Sequence, residues 1–138
     1  MRYSTYVTLA LARFHPDKQR LDYASAGHVS PYLLRDGEVR EISVSSLPIG
    51  IAADAAYVTE TLEIKPGDRY VFYTDGLVET FTSGRTMLGF DGLAKRLTAL
   101  KADQHPEEQI RSLLDGLPQV TTEPYDDDKT LVMVRVGD

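Results

Sequence analysis

The sequence predicts an α+β domain: antiparallel strands first, two helices packed on a sheet face, and one last strand. Three observations predict it. The first two-thirds of the chain carries short runs of β-branched and aromatic residues, separated by glycine, proline and aspartate. Apolar residues at helical spacing appear only after Gly89. Another strand-like run, Thr130 to Val136, then closes the chain.

Each element has its own signal. Thr5 to Phe14 is rich in strand-forming residues, and His15-Pro16-Asp17 ends it. Leu21 to Ala26 is a second strand, stopped by Gly27. Tyr32 to Arg35 and Glu38 to Ile42 flank Asp36-Gly37, a strong two-residue hairpin signal. Tyr57 to Ile64 alternates, with Val58, Leu62 and Ile64 on one face and Thr59, Thr61 and Glu63 on the other. Lys65-Pro66-Gly67-Asp68 has proline and glycine at the two central positions of a turn. Arg69 to Thr74 is nearly continuous in apolar character, which predicts a strand buried on both faces. Phe90, Leu93, Leu97 and Leu100 predict a helix with Asp91 as its N-cap. A second helix begins at Pro106, with Glu107 and Glu108 in the first turn, where the helix dipole favours anions. Ile110, Leu113 and Leu114 give it an apolar face, and Gly116 is its stop. Lys129 to Val136 is the closing strand.

The 138 residues fit one domain, residues 1–138. A net charge of -6 argues against nucleic acid or an anionic membrane as the main partner, and suits a site that attracts cations. There is no cysteine, so disulfides, thiolate metal sites and cysteine nucleophiles are excluded. No stretch approaches the ~20 apolar residues of a membrane span, and Met1 to Tyr6 has no signal-peptide pattern. The expected location is the cytoplasm.

Two strand ends carry carboxylates that the strands do not need. Asp75-Gly76 follows Tyr70-Val71-Phe72-Tyr73-Thr74, and Asp126-Asp127-Asp128 precedes the closing strand. If those strands pair, one aspartate faces Asp75 across the sheet edge. Carboxylates that close raise a pKa or take a cation between them, and Mg²⁺ and Mn²⁺ prefer a few carboxylates plus waters. The plainer readings are a turn aspartate bonding its own backbone and a solvated acidic loop. Gly76 allows either a sharp turn or the close approach of a ligand. His28, beside Gly27, is a base, a ligand or a structural hydrogen-bonder. His15 and His105 show no evident role.

Five segments then resemble one family in its own order. Tyr23 to Leu34 contains Ala26-Gly27-His28 and Pro31, similar to its "AGH-x-x-P" strand; Leu47-Pro48-Ile49-Gly50 resembles its "LPLG" loop. Pro66-Gly67-Asp68 with Tyr73-Thr74-Asp75-Gly76-Leu77-Val78-Glu79 resembles "PGD…YTDGLxE". Gly89-Phe90 matches its "FG" before a helix, and Asp127-Asp128-Lys129-Thr130-Leu131 resembles "DDxTL". The resemblance is to metal-dependent serine/threonine phosphatases of type 2C, in the bacterial branch that includes the sporulation stage II E phosphatase. It implies a β-sandwich flanked by helices and a binuclear Mn²⁺ or Mg²⁺ centre, whose activated water attacks a phosphoserine or phosphothreonine. By the motif match Asp75 and Asp127 are metal ligands and Asp128 shapes the loop, with Gly76 and His28 in support. The implied partner is a phosphoprotein such as an anti-sigma-factor antagonist.

The family's "GD" strand and "D-x-x-GHG" segment have no counterpart here. The chain therefore resembles the C-terminal half of the domain, a partial sandwich with a half-site for metal. Such a half-sandwich exposes apolar faces and strand edges, which predicts a homodimer or larger assembly. Two other readings remain open: a catalytically inactive phosphatase-like module that docks a signalling partner, and a plain α+β domain without metal.

Overall fold

Two antiparallel sheets lie face to face in the computed structural model, which describes residues 5–82, 86–117 and 128–137. The first sheet has β2 (Arg20–Ala26) in its centre, between β1 (Leu9–His15) and β5 (Thr59–Glu63). The second runs β4 (Glu38–Glu41), β3 (Tyr32–Arg35), β6 (Arg69–Tyr73), β7 (Leu131–Arg135). Three α-helices are present among the described residues, α1 (Asp75–Val78), α2 (Gly89–Thr98) and α3 (Pro106–Asp115), besides one 3-10 turn at Pro16–Lys18.

The turns form for the reasons their sequences give. Arg35 pairs with Glu38, and Asp36 and Gly37 between them have φ of 53° and 76°. Two successive left-handed residues make the tight hairpin turn whose twist matches the strands. In Lys65–Asp68 the amide of Asp68 bonds the Lys65 carbonyl at 3.1 Å, with Gly67 at φ 86°. That third-position φ is open to glycine and strained for other residues.

Burial divides along the strand period. On β6, Val71 and Tyr73 enter a core with Leu77, Leu93 and Leu97 of the helices. Tyr70 and Phe72 face the first sheet, in a core with Leu21 and Tyr23. The strand is thus buried on both faces, as its unbroken apolar run predicts. Aromatic pairs fix each layer: Phe14 meets Tyr70 edge-on at 5.3 Å, and Tyr32 stacks on Tyr73 at 5.7 Å. Such pairs contribute about 1 kcal/mol each beyond the area they bury.

Several sequence expectations are corrected. The chain after Tyr73 does not end in a simple turn; Asp75 opens α1, a third helix beside the two predicted. Four residues are too short a span for helical periodicity to register. Asp91 is not an N-cap, because α2 starts two residues earlier and leaves it in the first turn. Phe90, Leu114 and Val58 are exposed instead of buried. On α3 the buried positions are Gln109 and Leu113. β1 pairs only from Leu9 onward, because the chain before it turns to bridge Val7 to Ile49. His105, given no role by sequence, caps α3: its ring accepts from the Glu107 amide at 3.4 Å. No described helix is long and apolar enough to cross a membrane.

Candidate metal centre

β6 leads to Asp75 at the end of the central layer, and the segment that leads into β7 brings Asp128 to the same end. The ladder pairs Tyr73 with Leu131. One residue further, the Thr74 amide donates to the Thr130 carbonyl at 3.0 Å. The Thr74 hydroxyl extends this link, since its oxygen accepts from the Thr130 amide at 3.0 Å and donates to the Asp128 carbonyl at 3.3 Å. One side chain therefore ties the residue before Asp75 to the segment that carries Asp128. Sequence reading missed Thr74. Its signal was the polar residue that ends an otherwise apolar strand, beside a strand with Thr130 at the matching end.

Asp75 is exposed, and its carboxylate has no hydrogen-bond or ion-pair partner among the described residues. Gly76 and Leu77 behind it are buried, and the Thr80 hydroxyl donates to the Gly76 carbonyl at 3.0 Å. α1 is thus anchored from below and presents its acid outward. Asp128 is also exposed. Asp127 and Asp126 lie outside the described residues. No group of three or more potential ligands gathers among the described residues.

His28 sits in the loop from β2 to β3 and reaches the same strand end. Its Nε2 is 3.0 Å from the Tyr73 carbonyl, and its Nδ1 is 3.4 Å from the Thr8 hydroxyl. A carbonyl only accepts, so Nε2 carries the proton and Nδ1 accepts from Thr8. The loop itself is pinned: the His28 amide donates to the Ser25 hydroxyl at 3.3 Å, and the Ser46 hydroxyl bonds the Ser25 carbonyl. Next door, burial first and then Tyr32 push the Tyr73 phenol well above its ordinary pKa, so Tyr73 stays neutral and its part is packing.

The donor chemistry fits a hard divalent cation. The exposed carboxylate of Asp75 stands at the strand end that Asp128 also reaches, and oxygen donors of this kind suit Mg²⁺ or Mn²⁺. Of the residues singled out from sequence, the structure brings Asp75, Gly76, Asp128 and His28 to one end of the second sheet.

Residues 1–137 match the protein family described as Stage II sporulation protein E (SpoIIE). The chain is 26% identical over 134 residues to Phosphoserine phosphatase RsbU of Bacillus subtilis (strain 168), covering 96% of this chain and 39% of RsbU. It is 25% identical over 132 residues to Stage II sporulation protein E of the same organism, covering 95% of this chain and 16% of that protein. Among solved structures it resembles the PP2C phosphatase domain with a fragment of the regulatory domain of SpoIIE from Bacillus subtilis. The TM-score there is 0.75 at 23% identity, over 94% of this chain and 37% of that one. The SiaA-PP2C domain of Pseudomonas aeruginosa gives 0.70 at 24% identity, over 88% of this chain and 47% of that one. At these identities the structural likeness speaks for the fold, which is the PP2C-like arrangement of antiparallel sheets and helices. The chain spans well under half the length of the curated relatives it matches.

Proposed function

The chain belongs to the stage II sporulation protein E family, and on that premise we propose that it forms the C-terminal part of a phosphatase that hydrolyses phosphoserine or phosphothreonine on a protein. The observation that supports this most directly is Asp75: an exposed carboxylate with no partner among the described residues, just past the end of buried β6, where Thr74 is bonded to the Asp128 carbonyl. Asp75 and Asp127 are the proposed ligands of Mn²⁺ or Mg²⁺, and Thr74 keeps their two segments in register. When bound, such ions lower the pKa of a water and neutralise charge on the phosphoryl group. The proposed substrate is a phosphorylated signalling protein such as an anti-sigma-factor antagonist.

The test is Mn²⁺-dependent hydrolysis of a phosphoserine peptide, run beside Asp75→Asn. Turnover that needs Mn²⁺ and falls to background in Asp75→Asn is the expected result. Equal turnover in both would remove Asp75 from the centre. Mn²⁺ binding without turnover in either would favour the docking-module reading.

Self-association belongs to the same proposal. β1 and β7 are edge strands of their sheets, and both line an open, mostly apolar groove of about 400 Å³. Leu11 on β1 is 61% exposed and Val132 on β7 is 50% exposed. Unpaired edges beside apolar surface favour pairing with another chain. We expect a dimer or larger species by light scattering, shifted toward monomer by Val132→Lys. A wild-type monomer at high concentration would count against it.

A further inference from the structure

We infer that His28 is a positioning residue for Asp75, acting through the Tyr73 carbonyl. The inference rests on the reading of Asp75 as a metal ligand, but its geometry is independent of that reading. In an antiparallel strand, successive residues aim their amide and carbonyl at opposite neighbours. The Thr74 amide turns to β7, so Tyr73 turns toward β3. There the ladder has already ended, since its last pair is Tyr32 with Val71. The Tyr73 carbonyl has run past its strand partner, and His28 Nε2–H takes it at 3.0 Å.

The consequence is a clamp on the strand end from two sides. β7 holds Thr74 through Thr130 and Asp128. His28 holds Tyr73, the residue before it. Asp75 follows directly, as the first residue of a helix only four residues long. So short a helix has too few internal bonds to set its own direction. The direction in which Asp75 points therefore depends on what holds Tyr73 and Thr74 before it, together with the buried packing of Leu77 and Val78 after it.

His28 also joins the two sheets at this end. Thr8 lies directly before β1 of the first sheet, while Tyr73 belongs to the second. The Tyr73 carbonyl selects the tautomer with the proton on Nε2, and the Thr8 hydroxyl, which can donate, fits the Nδ1 lone pair. Ser25 holds the His28 backbone from the end of β2. A side chain locked at both ring nitrogens and at its backbone suits a supporting role, because orientation of a ligand depends on partners that do not themselves touch the cation.

The test uses the full chain and three variants: His28→Ala, His28→Gln and Thr8→Val. Glutamine places an amide N–H near the position of Nε2, so it is the conservative rescue. Amide exchange is followed without metal at Thr74, Leu77 and Glu79, whose N–H groups bond Thr130, Thr74 and Asp75. His28→Ala is expected to speed exchange at these three about five- to tenfold, as the loss of one hydrogen bond allows, with amides of β2 and α3 unchanged. His28→Gln should restore most of the protection. In Thr8→Val, the imidazole nitrogen shifts should keep the Nε2–H tautomer, because the Tyr73 carbonyl that accepts this proton remains. Mn²⁺ titration then reads the link to the centre, with affinity expected to fall about tenfold or more in His28→Ala. Uniformly faster exchange across the chain, or unchanged exchange at the three amides, would overturn the assignment and leave His28 as a general packing residue. A wild type that binds no Mn²⁺ would sink the metal reading instead, while the exchange result would still decide the positioning role.

Discussion

Asp68→Asn is expected to destabilise the fold by about 3 kcal/mol, because it breaks a buried ion pair from one side. Asp68 is 1% exposed. Its carboxylate accepts from Arg35 Nε at 2.8 Å and Nη2 at 2.6 Å, from the Lys65 amide at 2.8 Å and from the Tyr70 hydroxyl at 3.2 Å. The neutral amide keeps the shape, but it turns a donor toward donors and leaves the Arg35 charge without its counter-ion. For a domain of this size the melting temperature should fall by roughly 10 °C. The pH dependence follows. Burial alone would raise the Asp68 pKa, but the bonds from Arg35 and the Lys65 amide outweigh it and hold the carboxyl below its ordinary range. A group whose folded pKa is depressed stabilises fully above the unfolded value of about 3.9 and loses that contribution as pH falls through the folded value. Melting curves from pH 7 to pH 2 should therefore show the wild type weakening below about pH 4, and Asp68→Asn weakening much less over the same window. Some slope should persist, since Asp22 is also held low, its burial outweighed by bonds from Thr61 and His15. Parallel curves for the two proteins would show that the pair contributes nothing to acid stability. Replacing both partners, Arg35→Met with Asp68→Leu, should cost less than the sum of the two single changes, while the Lys65 amide and the Tyr70 hydroxyl left without an acceptor keep it from being neutral.

This ion pair shows where sequence reading stops. Pro66-Gly67 announced the turn, and the turn formed with the expected left-handed glycine. That Asp68 then faces inward to a charged partner on β3 depends on which strand lies beside β6, and the β3–β6 pairing joins residues far apart in sequence. Local chemistry was legible wherever one residue's backbone preference decides the outcome: Asp36-Gly37, Gly67, and Pro106 at the start of α3. It failed where the register of a helix against the sheet decides, as for Phe90, which periodicity places on the buried face and the structure leaves in solvent. At the candidate centre, the two acidic strand ends were legible as chemistry without a partner. Their convergence was conditional on β6 pairing with β7; the strands do pair, and Asp126 and Asp127 lie outside the described residues. The clamp of Thr74 and His28 around Tyr73 was not legible, because it is made by main-chain carbonyls that any sequence would supply.

Gly27→Ala should be as damaging as the loss of the ion pair, although it adds a single methyl. Gly27 has φ +63°, and a Cβ built there would lie 2.5 Å from Pro48 Cδ and 2.7 Å from the Pro48 nitrogen. Two penalties combine. The left-handed backbone costs an alanine about 1–2 kcal/mol, and forcing a methyl into filled space costs about 1–3 kcal/mol more. Gly37 separates them, since its φ is +76° and nothing stands within 4 Å of its added Cβ. Urea midpoints should place Gly37→Ala about 1 kcal/mol below wild type and Gly27→Ala about 3 kcal/mol below. Pro48→Ala combined with Gly27→Ala should recover part of the difference, because it removes the ring carbons and leaves the backbone nitrogen. Equal losses at the two glycines would mean that the loop of Pro48 moves aside freely and that the contact carries no strain. The consequence reaches the candidate centre, because His28 is the next residue. A loop pushed off Pro48 takes the imidazole away from Tyr73, so Gly27→Ala should also speed exchange at Leu77 and Glu79, whereas Gly37→Ala, on the far hairpin, should not.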